Sequence, residues 1–160
     1  MHIKKNKLSK IDITVIIATK NDSLNLKNSF YNLENFKEVI VVDSNSKDET
    51  KFITLKKNFK YFNFNYKNKY PKKRQWALDN LKINSEWIFF LDSDEIITDS
   101  LLHEIKGCIK NDKLVAFMIE KEFYFMGKKM KYGGFSFKDI ILFRNKKARF
   151  EKLFFKENDL

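Results

Sequence analysis

Residues 86–95, with the sequence Glu-Trp-Ile-Phe-Phe-Leu-Asp-Ser-Asp-Glu, constrain the fold of this chain more than any other stretch. Five apolar residues, Trp87 to Leu91, follow one another without a polar break, and Asp92 and Asp94 come directly after them. An uninterrupted apolar run of this length, rich in aromatics, is typical of a strand that is buried on both faces, as in a parallel sheet. In open α/β sheets the ligand crevice lies beyond the carboxyl ends of such strands. The stretch therefore predicts an α/β fold with acidic side chains at a ligand-binding edge.

Two interpretations of Asp92 and Asp94 follow from these residues alone. Paired carboxylates with only the small Ser93 between them suit a hard cation such as Mg²⁺, which takes one or two protein carboxylates together with substrate phosphate oxygens. Alternatively, an acid or a serine ahead of Ile96 simply caps the next helix. The motif is compatible with both a metal site and a helix cap.

Apolar runs and turn residues alternate along the chain in the way expected for right-handed crossover units. The β-branched residues of Ile11–Thr19 predict the first strand, and Glu38–Val42 predicts a second buried strand that ends at Asp43. Pro71 is expected in the first turn of a helix. Further strands are predicted at about 61–66, which is half-exposed and at a sheet edge, at 114–119 and at 139–144, and a short hairpin or loop is predicted at 123–130. Helices are predicted at about 24–33, 49–58, 71–83 and 99–110. The pattern predicts a mostly parallel central sheet flanked by helices, with a short β-rich part after about residue 120.

The composition excludes several classes of protein. With 160 residues, 43% of them hydrophobic and 17 of them Phe, the chain fits one domain with a substantial core rather than a disordered segment. No apolar run approaches the roughly 18 residues of a membrane span, and residues 1–5 lack the apolar character of a signal peptide. The single cysteine, Cys108, excludes an internal disulfide and suits a reducing cytoplasm. With only His2 and His103 as histidines, a zinc site is disfavoured.

The net charge of +11 is compatible with three kinds of surface. Nucleic acid is the weakest candidate partner, because only three of the 32 basic residues are Arg, whereas phosphate and base recognition favour the arginine fork. A basic surface equally suits an anionic membrane or a phosphorylated glycolipid acceptor. The third possibility is a solvated, lysine-rich surface that binds no particular partner.

Three predicted strands end in polar residues, and a doubly wound sheet brings such ends together. These strand ends are Ala18–Asn21, Asp43–Ser44 and Asp92–Asp94. The chain has no glycine-rich phosphate loop of the Rossmann or Walker type, so phosphates at this edge must be held by a metal and by cations. A nucleoside-diphosphate sugar is held in this way.

These three segments resemble motifs of the family 2 glycosyltransferases, which have the GT-A (Rossmann-like) fold. Residues 13–21 are similar to the first strand of that family, residues 41–50 to its Val-Asp-(Asp/Ser)-Gly-Ser-x-Asp-x-Thr loop, and residues 90–95 to its Asp-x-Asp motif. The resemblance covers about residues 11–157, with the motifs in order. Further segments are most similar to bacterial lipopolysaccharide-core glycosyltransferases: 71–77, 133–135, 142–144 and 148–151.

The resemblance implies an inverting, metal-dependent transfer of a hexose from a nucleotide sugar, UDP-glucose or a similar donor. The implied acceptor is a glycolipid or oligosaccharide of the cell envelope, as in lipopolysaccharide biosynthesis. The enzyme is expected to be cytoplasmic and to make peripheral contact with an anionic membrane. For the nucleotide, the resemblance implies base recognition by Asp43, a base pocket lined by Ala18 and Lys20, and a contact from Arg74. It also implies ribose and metal contacts at Asp92 and Ser93. Asp94, together with Asp92, would coordinate Mg²⁺ or Mn²⁺.

An inverting transfer also needs a carboxylate base within reach of the acceptor hydroxyl. Asp139 is the first choice that the resemblance implies, with Glu122 and Glu120 in reserve. One residue is missing between Gly134 and Leu142 relative to the family spacing. Relatives also continue well beyond this length, so residues 11–119 are expected to form the nucleotide-sugar half and about 120–157 a shortened acceptor side. The alternative function is a non-catalytic nucleotide-sugar-binding or assembly module.

Overall fold

The computed structural model describes residues 9–65, 70–130 and 137–150, and most of their apolar runs form one mixed sheet. Its strands, in the spatial order β3-β2-β1-β4-β8-β5, are β1 (Ile11–Thr19), β2 (Phe36–Asp43), β3 (Lys60–Asn63), β4 (Trp87–Asp92), β5 (Ala116–Lys121) and β8 (Phe137–Arg144). A separate hairpin pairs β6 (Tyr124–Phe125) with β7 (Lys128–Lys129). The helices are α1 (Ser23–Ser29), α2 (Thr50–Lys56), α3 (Lys73–Asn80) and α4 (Asp99–Cys108), with a short 3-10 helix at Leu33–Asn35. Among these described helices, none has the length and apolar character needed to cross a membrane.

The strand order reverses between β1 and β4, at the centre of the sheet. The chain leaves β1 in one direction to form β2 and then β3, whereas β4 pairs with the opposite side of β1, and all four strands are parallel. The register places Thr19 beside Asp43 and Ala18 beside Asp92. Ligands of open α/β sheets bind at such a switch point, beyond the carboxyl ends of the strands.

Strand β4 is buried on both faces, as its apolar run predicts. Residues 87–91 are each at most 3% exposed. On one face the Phe89 ring meets Phe36 with centroids 6.5 Å apart, and on the other face Phe90 meets Phe143 at 5.9 Å. Burying a side chain of this kind contributes about 1.5–3 kcal/mol, so β4 supplies a large share of the hydrophobic free energy of folding.

Strand β8 enters the sheet between β4 and β5 and runs antiparallel to both. Because β8 is antiparallel to each neighbour, β5 runs in the same direction as β4. The last residue of β5, Lys121, and the first part of β8, with Asp139, therefore lie at the same edge of the sheet as Asp92. The β-rich part that follows residue 120 thus begins beside the predicted ligand-binding edge.

The structure differs from the sequence-based expectation at two helix boundaries. The expectation that Pro71 lies in the first turn of a helix is wrong, because Lys72 is still extended (φ −73°, ψ 165°) and α3 begins at Lys73. Helix α1 ends at Ser29 rather than near residue 33, and Asn32 adopts a left-handed backbone (φ 65°) before the 3-10 helix. The predicted edge strand at 61–66 is confirmed as β3, although it ends at Asn63 and Tyr66 lies outside the described residues.

Candidate functional site

The loops that follow β1 and β2 are hydrogen-bonded to each other. The Asn21 amide donates to Ser46 Oγ at 2.6 Å, and the Lys47 amide donates to Asn21 Oδ1 at 2.8 Å. Beneath them the Ser44 amide donates to the Thr19 carbonyl at 3.1 Å. These bonds turn two loops that are 25 residues apart in sequence into one wall of the crevice.

Two asparagines allow these loops to turn tightly. Asn21 has φ 49° and Asn45 has φ 57°, both in the left-handed region that Asn tolerates better than other residues with side chains. The Asn45 amide also donates to Asn63 Oδ1 at 3.1 Å, which ties the loop to the end of β3. Asn45 stands where the family motif has glycine, and its left-handed backbone is one that Asn tolerates.

Asp43, at the end of β2, is completely buried and accepts three hydrogen bonds. Its Oδ2 accepts from the Ser46 amide at 2.8 Å and from the Tyr61 hydroxyl at 2.7 Å, and its Oδ1 accepts from the Ser46 hydroxyl. Burial, together with the hydrogen bond to Asp43, raises the pKa of Tyr61 to about 12, so Tyr61 stays a donor. Both oxygens of Asp43 are thus occupied by protein groups.

Asp48 joins the two loops from the solvent side. Its carboxylate accepts from the Ser23 amide at 2.8 Å and from the Thr50 amide at 3.1 Å, which are the first residues of α1 and α2. Although partial desolvation acts in the opposite direction, the hydrogen bonds from Thr50 and Ser23 lower the pKa of Asp48 to about 2. The carboxylate therefore stays ionised over the ordinary pH range.

Arg74 brings two of the predicted acids together. Its Nη2 donates to Asp92 Oδ1 at 2.7 Å, and its Nη1 lies 4.0 Å from Asp139 Oδ2. Its guanidinium carbon lies 5.7 Å from the centre of the Phe90 ring, so the plane rests on the end of β4. An ion pair that remains partly exposed contributes about 1 kcal/mol or less to the free energy of unfolding. The main effect of these contacts is therefore to hold Asp92 and Asp139 near each other.

Lys73 is a cation of the site that sequence reasoning missed. Its Nζ donates to the Thr19 carbonyl at 2.5 Å, which places the ammonium group over the end of β1. Burial lowers the pKa of Lys73, and the positive charge of Lys20 adds to this lowering. The negative charges of Asp43 and Asp92 act in the opposite direction and raise it. Lys73 therefore lies within electrostatic range of both acidic strand ends. In the sequence only its place beside Arg74, at the start of a helix facing the strand ends, distinguishes it from the other lysines.

The acidic turn after β4 does not cap a helix. The Asp92 amide donates to Glu95 Oε2 at 2.9 Å, and the Glu95 amide donates to the Asp92 carbonyl at 3.1 Å, which closes the turn on itself. Helix α4 is capped by Thr98, whose side chain accepts from the Leu101 amide at 3.2 Å. The interpretation of Asp92 and Asp94 as helix caps is therefore wrong.

Asp94 projects from this turn as an exposed carboxylate, and no hydrogen bond or ion pair reaches it from residues 9–65, 70–130 or 137–150. Ser93 is nearly buried and donates to Asp22 Oδ2 at 2.6 Å. Asp22 directly precedes α1, so this bond ties the acidic turn to the loop that follows β1. The described residues contain no group of three or more His, Cys, Asp or Glu side chains able to hold a metal. Asp92 and Asp94 therefore fit a cation that takes most of its ligands from a bound phosphate and water.

The remaining predicted residues lie around this centre. Ala18 is half-buried beside Asp92, and Lys20 is exposed at the end of β1. Glu122 is exposed, where its ion pair with Lys129 lowers its pKa.

Glu120 is exposed and lies 3.9 Å from Lys138. Of the three acids considered as the base, Asp139 is the one that the structure brings next to Arg74. Gly133 and Gly134 lie outside the described residues.

Comparisons with known proteins agree with this architecture. The family model described as "Glycosyl transferase family 2" matches residues 14–159. Glucosyl-3-phosphoglycerate synthase from Mycobacterium tuberculosis, solved with UDP, is 15% identical with a TM-score of 0.52, over 65% of this chain and 42% of that chain. S. aureus TarS (residues 1–349) is 27% identical with a TM-score of 0.47, over 62% of this chain and 32% of that chain.

The chain therefore spans less than half the length of either solved structure. At its level of identity, the synthase shows the shared fold alone. No curated protein matches the chain.

Proposed function

We propose, since the chain belongs to glycosyl transferase family 2, that it transfers a sugar from a nucleoside-diphosphate sugar to an acceptor hydroxyl. The observation that supports this most directly is the pair of cations at the switch point of the sheet, where Lys73 binds the end of β1 and Arg74 binds Asp92 of the acidic turn. A diphosphate needs positive charge around it, and a chain without a glycine-rich loop must supply that charge from cationic side chains and from a cation that acidic side chains would hold.

On the donor side we assign the nucleotide to the wall formed by the loops after β1 and β2. Ala18 and Lys20 line the base pocket, and Arg74 and Ser93 lie towards the ribose and phosphates. Asp43 is buried and its Oδ1 accepts only from the Ser46 hydroxyl, so base recognition there would use the remaining acceptor capacity of Oδ1. We propose a UDP-hexose such as UDP-glucose as the donor.

We assign Mg²⁺ or Mn²⁺ to Asp94 with Asp92. Asp94 has a carboxylate that no described residue binds, and Asp92 keeps one oxygen that Arg74 does not bind. The synthase of the same fold from Mycobacterium tuberculosis has been solved with UDP and either Mn²⁺ or Mg²⁺. When bound, such a cation offsets the charge that develops on the departing diphosphate. The protein residues orient the diphosphate and exclude water around it.

On the acceptor side we propose an inverting displacement with Asp139 as the base. The acceptor oxygen forms a bond to the anomeric carbon as the bond from that carbon to the diphosphate oxygen breaks, and the hydroxyl proton passes to the Asp139 carboxylate. UDP leaves with the bonding electron pair. The contact of Asp139 with Arg74, which also binds Asp92, supports this assignment because it joins the acceptor side to the donor side.

The proposed acceptor is a glycolipid or oligosaccharide of the cell envelope, of the lipopolysaccharide type. The basic character of the chain, with a net charge of +11, supports an acceptor that is anionic or that lies in an anionic membrane. The enzyme then acts from the cytoplasm at the inner face of the membrane.

The substitution Asp94→Ala tests the metal assignment. We expect the wild-type chain to bind UDP more tightly with Mn²⁺ than without it, and the variant to lose this difference, as measured by calorimetry. Glu104→Ala, which removes an exposed carboxylate from α4, is the matched control and should bind as wild type does. Equal UDP affinity in wild type and Asp94→Ala with Mn²⁺ would remove Asp94 from the metal site.

Release of UDP from UDP-glucose separates an enzyme from a binding module. Transfer to an acceptor, or slow hydrolysis without one, liberates UDP, whereas a non-catalytic nucleotide-sugar-binding or assembly module binds the donor and releases none. Binding without any UDP release in the presence of a lipopolysaccharide-type acceptor would support the second function.

A further inference from the structure

The hairpin of β6 and β7 presents an apolar tip to solvent. Its two-residue loop, Met126–Gly127, has φ 49° and 73°, the conformation of a tight hairpin turn with positive φ at both central positions. Phe125 pairs with Lys128 across the two strands. Tyr124, Phe125 and Met126 are 63%, 66% and 87% exposed. Three consecutive large apolar side chains in water are unusual, and such a patch marks an interaction surface.

The sequence around this tip is rich in lysine. Residues 121–131 contain four lysines and one glutamate. Within the described part of the chain, Lys128 is exposed and has no acidic partner, while Lys129 is paired with Glu122. Aromatic rings with a polar end, and lysines whose long stems lie along apolar surface, are the side chains that suit a membrane–water interface.

The base of the hairpin is attached to the acidic turn of the donor site. Strand β5 runs parallel to β4 and ends at Lys121, whose Nζ lies 2.5 Å from Glu95 Oε1. The other oxygen of Glu95 accepts from the Asp92 amide. Both partners of this ion pair are largely buried, with side chains 12% and 22% exposed. The hairpin therefore projects from the edge of the sheet at which Asp92 and Asp139 lie.

We propose that the hairpin is a membrane-docking element, with Tyr124, Phe125 and Met126 inserted at the interface of an anionic phospholipid bilayer and Lys128 against the lipid phosphates. Charge complementarity selects this occupant, because both the hairpin and the whole chain are basic. The inference rests on the proposed function in one respect, namely that docking at this edge brings a membrane-borne acceptor to the donor site.

Vesicle co-sedimentation of the full chain tests the proposal. We expect binding to vesicles of phosphatidylcholine with phosphatidylglycerol, little binding to phosphatidylcholine alone, and weaker binding at high salt. Phe125→Ser combined with Met126→Ser should lower the partition coefficient at least about tenfold, and Lys128→Gln should lower it about fivefold. The matched controls are Phe52→Ser, whose ring is 63% exposed on α2, and Lys110→Gln, and both should bind as wild type does.

UDP affinity with Mn²⁺, measured in solution on every variant, shows that each is folded and keeps this test separate from the proposed function. Lost vesicle binding with unchanged UDP affinity in the hairpin variants supports the proposal. Wild type that binds UDP but no anionic vesicle overturns it and leaves the proposed function standing. Equal losses in the hairpin and control variants overturn it, since they indicate diffuse adsorption. A dimer that dissociates in the hairpin variants, without vesicle binding, overturns it in favour of a second copy of the chain.

Discussion

Arg74 contacts groups from both sides of the proposed reaction. It donates to Asp92 on the donor side, lies 4.0 Å from Asp139 on the acceptor side, and rests on the ring of Phe90. A planar guanidinium can satisfy several partners at once, which a lysine at this position could not do. The position of the proposed base thus depends on the same side chain that orients the acidic turn.

Replacing Asp139 by Asn separates chemistry from binding. Asn has nearly the same shape but cannot accept the acceptor proton, so we expect UDP affinity to be unchanged and the rate of sugar transfer to fall by roughly 10²- to 10⁴-fold. Initial rates of UDP release with acceptor present measure the effect. Glu120→Gln is the control. Full turnover in Asp139→Asn, with a loss in Glu122→Gln instead, would move the base to Glu122.

Asp48→Asn should make folding stability less dependent on acid pH. The pKa of Asp48 in the folded chain is about 2, below its ordinary value of 3.8, so the unfolded chain takes up the proton first as the pH falls. The stability that the carboxylate contributes is therefore present above about pH 4 and is lost between about pH 4 and pH 2. We expect the variant to lose about 1 kcal/mol at pH 7 and to approach wild type only towards pH 2, as measured by urea denaturation. A constant difference across this range would contradict the assignment, and Glu104→Gln serves as control.

Individual site residues were only partly predictable. Asp92 and Asp94 stand out because two carboxylates, with only Ser93 between them, directly follow an uninterrupted apolar run. Lys73 has no such signal, since its role arises from a long-range contact with Thr19, 54 residues away. The burial of Asp43 is equally non-local, because it depends on Tyr61 and on the fold of the Ser46 loop.

At the scale of elements, the two faces of β4 contact different parts of the molecule. Phe89 faces Phe36 in the core, whereas Phe90 lies beneath Arg74. The two rings are equally buried, at 1% and 0% exposure, and they differ in what they support.

Phe89→Leu and Phe90→Leu make a matched pair at this strand. Each should cost about 1–3 kcal/mol of unfolding free energy, measured by chemical denaturation, because each loses packing in a close-packed core. Only Phe90→Leu should also weaken UDP binding, since it removes the surface on which Arg74 rests. Equal UDP affinity in both variants would show that the contact between ring and guanidinium does not position Arg74.

Strand positions and the parallel pairing of β1, β2, β3 and β4 followed from the apolar runs and their alternation with helices, whereas the antiparallel placement of β8 did not. Ile11–Thr19 and Trp87–Asp92 are strands because their residues can be buried on both faces, a local property. The insertion of β8 between β4 and β5 depends on pairing between residues about 25 to 55 positions apart, such as Leu142 with Phe117 and with Phe89. No local pattern encodes that pairing. The start of α3 was misplaced for a local reason, since Lys72 remains extended after Pro71.

For the molecule as a whole, ligand binding should appear as thermal stabilisation. A ligand at about 100 times its Kd adds about 2.7 kcal/mol to the free energy of unfolding, which corresponds to a rise in Tm of roughly 5–10 °C for a chain of this size. In a panel of nucleotide sugars with Mn²⁺, we expect UDP-hexoses to give the largest rise. Omitting Mn²⁺ should reduce it. A larger rise with a GDP- or CMP-sugar would contradict the UDP assignment.

From the position of β8 we expect an order of assembly for a chain that folds as it is synthesised. In the sheet, β5 pairs with β8 and with no other described strand, so β5 has no partner until residues 137–144 have been synthesised. Strands β1, β2 and β4 can pair as soon as β4 has emerged, which completes the parallel half of the sheet first. The hairpin of β6 and β7, attached to β5, gains its place only in the last step. A folding chain therefore builds its nucleotide wall before it builds the element that we assign to the membrane.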